Sequence, residues 1–147
     1  MENINTNISH KKVSSKIFHR NTVEILRKRV ELLRGKDRLL MKIYLEKGIN
    51  FRQMAQLTGL SEGIITRRIR KLTDRLVDSR YITCMRYQEK FSVYQLDIAR
   101  DYFLHGLSIR KIALKRRHSK YRISTIVRRI KNLIKVLESS EFNKKSA

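Results

Sequence analysis

The chain has 147 residues, 35 of them Lys or Arg against 13 Asp or Glu, and a formal net charge of +22 at pH 7. That length fits one ordinary domain or two very small ones. The self-repulsion of so much like charge is relieved by a polyanion, which points to nucleic acid first and an anionic membrane second.

Cys84 is the single cysteine, so an intrachain disulfide is excluded and a reducing compartment fits. It reads as a half-buried small hydrophobe. His10, His19, His105 and His118 pair neither with one another nor with Cys84 at a metal-ligand spacing, so no metal and no cofactor is expected. No apolar run approaches 18 residues and no signal core is visible, so a cytoplasmic, nucleoid-associated protein is expected, with no membrane partner.

Proline is absent, where ordinary usage predicts roughly seven; its absence favours an all-α chain. Residues 1–20 are polar, without an apolar period, and read as a disordered basic arm carrying Lys11, Lys12, Lys16 and Arg20. An N-terminal helix is expected over 21–35, with Val23, Leu26, Val30 and Leu33 at helical spacing and Gly35 as its stop. The segment 36–77 reads as a three-helix unit. Its first helix is Asp37 to Lys47, with Leu40, Ile43 and Tyr44 inward and Gly48 as the stop. Phe51 to Leu57 follows, then the turn Thr58-Gly59-Leu60, and a helix capped by Ser61 that runs to about Leu76. Leu60 and Ile65 are placed as a hydrophobic staple across that cap.

A less regular linker is expected over 78–91, in which RYITCMRY, Arg80 to Tyr87, reads as extended. A second three-helix unit follows over 92–138. Ser92 and Gln95 form a capping box, with Phe91 and Leu96 as its staple, and the helix stops at Gly106. Ser108 caps a short helix to about Lys115. A turn around Arg116 to His118 precedes a long helix from about Ser119 to Leu137, and 139–147 reads as a frayed tail.

The two units look related. Tyr44, Gly48, Arg52 and Ala55 align with Tyr102, Gly106, Arg110 and Ala113. Past the turn the spacing reads three residues longer, so that Ile65, Ile69 and Leu72 fall against Ile126, Ile130 and Leu133, with Leu76 and Leu137 closing the two inward stripes. A length change inside a turn is one that a fold tolerates.

A helix held on one side by a tight pair, and basic on the other, suits the major groove of duplex DNA. The first turns of such a helix hold the base-reading candidates: Glu62, Thr66 and Arg67 in the first unit, and Lys120, Tyr121, Ser124, Thr125 and Arg128 in the second. Phosphate-contacting candidates are Arg52, Arg68, Arg70, Lys71 and Arg75, then Arg110, Lys111, Arg116, Arg117, Arg122, Arg129 and Lys131. From Gly106 to Leu137 there is no acidic residue, so the second unit should dominate nonspecific affinity and its salt dependence.

The segment DRLLMKIYLEKGINFRQMAQLTGLSEGIITRRIRKL resembles region 4 of the sigma-70 family, the part of a bacterial sigma factor that reads the promoter −35 element. Tyr44, Gly48, Met54-Ala55, Gly59-Leu60-Ser61, Ile65 and Arg67 to Lys71 carry the likeness. FSVYQLDIARDYFLHGLSIRKIA resembles it again, although the turn LKRRHSKYRIS lacks the glycine. The likeness covers roughly 36–137, and no counterpart of the sigma region that melts DNA is seen. It implies two tandem helix-turn-helix units in a sequence-specific transcription regulator of double-stranded DNA. It also implies an alternative, an accessory factor binding RNA polymerase or a sigma factor. A nonspecific nucleoid or RNA-binding protein is a further alternative, and no enzyme is expected, because no catalytic constellation is present. The two units would form a pseudo-dimer within a monomer, meeting groove segments roughly 34 Å apart, and the end of the last helix leaves room for a weak homodimer.

Overall fold

The structure, a computed structural model, describes residues 22–46 and 49–146. Among these, all regular structure is helical, and no helix is long and apolar enough to cross a membrane. The arm 1–20, Lys47 and the stop expected at Gly48 lie outside the described residues. The chain divides into two compact units, one ending at Val77 and the next beginning at Asp78.

In the first unit, α1 covers 22–29 and tightens into a 3-10 turn, Val30–Leu32. Gly35 is not the stop of this helix. It lies at φ +57° and opens α2, Gly35–Leu45. Asn50 caps α3, Phe51–Thr58, by accepting from the Gln53 amide at 2.8 Å, while the Gln53 side chain accepts from the Asn50 amide at 2.9 Å. Gly59 ends α3 at φ +72°, a left-handed conformation that costs glycine little. Ser61 then caps α4, Glu62–Val77, accepting from the Ile64 amide at 3.2 Å.

Ile65, Ile69, Leu72 and Leu76 of α4 are all buried, as their spacing requires. Each such side chain contributes roughly 1.5–3 kcal/mol. They pack in a core with Leu26, Leu33, Leu40, Met41 and Met54. Met41 and Met54 are fully enclosed, whereas Ile43 and Tyr44, expected inward, are half-buried. The Arg29 guanidinium donates to the carbonyl of Leu76 at 2.7 Å, satisfying an orphan acceptor at the end of α4.

The second unit corrects several expectations. The stretch read as an extended linker is helical: α5 is Arg80–Arg86, followed by a 3-10 turn, Gln88–Lys90. Tyr81, Thr83 and Cys84 face inward from it at helical spacing, and Cys84 is fully buried rather than half-buried. β-branched and aromatic residues gave RYITCMRY a strand-like composition, but burial of one helical face outweighs that weak preference. α6, Val93–Ala99, begins at the expected Ser92–Gln95 capping box and widens into a π-helical turn, Arg100–Leu104. Gly106, at φ +64°, follows it. Ser108 caps α7, Ile109–Arg116.

The last helix, α8, runs Lys120–Ser146, so the tail expected to fray is helical through residue 146. Two carboxylates tie it to α5: Glu138 accepts from the Thr83 hydroxyl at 3.3 Å, and Glu141 accepts from Arg86 and Tyr87, both at 2.7 Å. The inward stripe of α8 is Ile123, Val127, Ile130, Ile134 and Leu137, whereas Ile126 and Leu133 are half-buried.

That register removes the extra residues expected in the second turn. Every start in the second unit lies 58 residues after its counterpart: Val30–Leu32 and Gln88–Lys90, Gly35 and Val93, Phe51–Thr58 and Ile109–Arg116, Glu62 and Lys120. Buried residues keep the same interval, as in Leu33 and Phe91, Met54 and Ile112, Ile65 and Ile123, and Leu72 and Ile130. The glycine is missing because Arg117 adopts its conformation at φ +56°, 58 residues after Gly59. The repeat therefore extends back through the first helices and is longer than the three-helix segment expected.

Candidate nucleic-acid interface

Each unit presents one long basic helix. On α4, the buried stripe leaves Glu62, Gly63, Arg67, Arg68, Arg70 and Lys71 exposed, with Thr66 and Arg75 half-buried. The Thr66 hydroxyl donates to the Glu62 carbonyl at 2.8 Å, and the Arg67 Nε donates to the Gly63 carbonyl at 3.4 Å. Gly63 has no neighbour within 4 Å of where a Cβ would stand, so no internal packing requires a glycine there. Arg52, on α3, is exposed as well.

On α8, Lys120, Tyr121, Arg122, Ser124, Arg128 and Arg129 are exposed, and Thr125 is half-buried. Tyr121 stands 79% exposed, a large ring held in solvent in the first turn of the helix. Ser119 caps this helix by accepting from the Arg122 amide at 3.1 Å. The 58-residue interval sets Glu62 against Lys120, Gly63 against Tyr121, Thr66 against Ser124, Arg67 against Thr125 and Arg70 against Arg128. Two faces at equivalent positions of the repeat thus carry different chemistry at most positions. Arg110 and Lys111 of α7 and Arg117 of the turn are exposed.

Two of the expected phosphate contacts are held by their own unit. Arg116 donates to the buried Asp101 carboxylate at 3.0 and 3.1 Å and lies 3.7 Å from Asp97. Lys131 donates to the Tyr102 hydroxyl at 3.0 Å, with its ammonium 4.8 Å from the centre of that ring. Asp101 is only 2% exposed and also accepts from Lys115 at 2.7 Å. Burial opposes its ionisation, but the Lys115 and Arg116 bonds outweigh that and hold its pKa below the ordinary aspartate value. This buried carboxylate was not singled out in the sequence. The signal that could find it is an acidic residue on the inward face of a helix, followed by two cations in the next helix.

Burial pushes the Cys84 thiol up to about 11, so it carries no thiolate chemistry near neutral pH. Among the described residues no group of His, Cys, Asp and Glu is placed to hold a metal ion. Comparison with protein-family models, with curated proteins and with solved structures finds no match.

Proposed function

We propose that the chain is a sequence-specific double-stranded DNA-binding regulator of transcription, built from two tandem helix-turn-helix units whose second helices, α4 and α8, enter the major groove. The observation that carries this reading is the shared design of the two helices. Each follows a left-handed turn, begins at a serine cap, buries one apolar stripe and exposes cations and hydrogen-bonding side chains on the other face. The resemblance to sigma region 4 points the same way.

Roles divide along the helix. Glu62, Thr66 and Arg67 sit in the first turns, where a recognition helix meets base edges, and Lys120, Tyr121, Ser124, Thr125 and Arg128 are the candidates of the second unit. Arg68, Arg70, Lys71 and Arg52 supply phosphate contacts, as do Arg110, Lys111, Arg117, Arg122 and Arg129. The target is a pair of unequal half-elements, one for each unit.

Selection of bound duplexes from a random pool tests this directly, and two variants test the roles. On the selected duplex, Arg67→Ala loses discrimination at one base position, at a cost of about 1–3 kcal/mol. Lys71→Ala weakens selected and scrambled duplexes alike and flattens the salt dependence. Failure of the pool to converge on any sequence, or identical behaviour of the two variants, contradicts the reading.

A further inference from the structure

We propose that the first unit carries a binding groove for a small amphipathic carboxylate, a molecule with an apolar body and one anionic end. The groove holds about 300 Å³, within the range of small-molecule sites. Leu39, Leu40 and Ile43 of α2 and Leu60 of the turn give it apolar walls, and Lys36 and Arg68 complete the lining with Thr58. Leu40 is buried, Ile43 and Leu60 are half-buried, and both cations are exposed. Leu39 is 61% exposed, a large apolar group left uncovered beside the two cations. No carboxylate among the described residues lines the groove. Among the described residues, the ion pairs of this unit join Glu31 to Arg38 and Lys42 and leave Lys36 and Arg68 without an acidic partner.

The repeat puts different chemistry at the same place in the second unit. In the second unit, Leu39, Ile43 and Thr58 are replaced by Asp97, Asp101 and Arg116, and Lys36 and Leu60 by Tyr94 and His118. There, Arg116 pairs with both aspartates, and its guanidinium lies 6.0 Å from the centre of the Tyr94 ring. Tyr94 in turn meets His118 edge-on, with ring centres 5.7 Å apart. In the second unit these positions are joined by ion pairs and ring contacts, whereas the first unit carries Leu39, Ile43 and Thr58 there and has neither the acids nor the arginine. An occupant of the open copy has to meet four aliphatic side chains with apolar surface and two cations with negative charge. A monocarboxylate with an alkyl or aryl body does both.

Titration of the full chain with octanoate, followed by amide chemical shifts, tests the site. The expected result is saturable binding with shifts confined to residues around 36–43, 58–60 and 68, and no comparable response to octylamine or to inorganic phosphate. Leu39→Asp, at an exposed position, and Ile43→Asp each restore an acid of the second unit and weaken octanoate binding about tenfold. Equal binding of phosphate marks a bare cation patch and overturns the proposal. So do shifts spread over both units, an unchanged affinity in Leu39→Asp, or groove signals that move with protein concentration in place of octanoate, which mark a second copy as the occupant. Arg68 is also a proposed phosphate contact, so saturating octanoate is expected to lower duplex affinity severalfold. That coupling rests on the proposed function and is read in a separate duplex titration, so its failure is distinguishable from failure of octanoate binding.

Discussion

Glu62 and Lys120 hold the same place in the two units, the first residue of α4 and of α8, and carry opposite charge. On the proposed reading this is where the half-elements differ most. A carboxylate accepts from the amino group of cytosine, and an ammonium donates to the O6 and N7 of guanine. Glu62→Lys should therefore turn one position of the first half-element from cytosine to guanine, with a swing in discrimination of about 1–3 kcal/mol. Duplex selection with the variant reads this out, and an unchanged preference contradicts the assignment. Gly63 and Tyr121 are the next pair, and they differ in bulk as sharply as the first pair differs in charge. The charge pattern of both helices is legible from residue spacing alone, because cations opposite an apolar stripe have only solvent to face. The inward use of Arg116 is not legible in this way, since it depends on Asp101 arriving from another helix.

At the scale of elements, the turn before α8 holds a non-glycine residue in the left-handed region. Arg117 sits at φ +56°, where a side chain costs roughly 1–2 kcal/mol relative to the right-handed region. Glycine removes that strain but adds unfolded-chain entropy, so Arg117→Gly should stabilise the chain by roughly 0.5–1 kcal/mol. Urea unfolding measures this, and a loss of stability contradicts the strain argument. The same residue hid the true length of the repeat, because a left-handed arginine gives no sequence signal of the kind Gly59 gives. The caps Ser61, Ser92 and Ser108 are legible because their chemistry is confined to four residues. RYITCMRY is not, because its helical state depends on the packing of Tyr81 and Cys84.

The Asp101 cluster joins α6 and its π-helical turn to α7, and it makes a pH prediction. The folded pKa of Asp101 lies below its unfolded value, so its stabilising contribution is fully present above the ordinary aspartate pKa of about 4 and is lost as the pH falls through the folded value. Asp101→Asn should be less stable than the parent at pH 7, by about 2 kcal/mol. That is below the roughly 3–5 kcal/mol of a fully enclosed pair, because Lys115 can return to water. The gap between the two proteins should narrow as the pH falls below the ordinary aspartate value and through the folded value, in thermal unfolding followed by circular dichroism. A gap that stays constant with pH contradicts the role of the charge.

At the scale of the whole molecule, the net charge of +22 and the repeated helix design act together. On the proposed reading, the charge would bring a polyanion close and the shaped face would choose among duplexes. An all-helical chain is legible from the missing proline and the apolar periods. The division at Val77 and Asp78 is harder to read, because the first helix of the second unit looks like a linker until its buried face is known. The central claim is that α4 and α8 enter the major groove, and the accessibility of guanine N7 tests it most directly, because that atom lies only on the major-groove edge. Methylation of the selected duplex in the presence of the chain should show two separate patches of protected guanine N7, one for each half-element. Full methylation at N7, with protection confined to minor-groove adenine N3, would contradict the account.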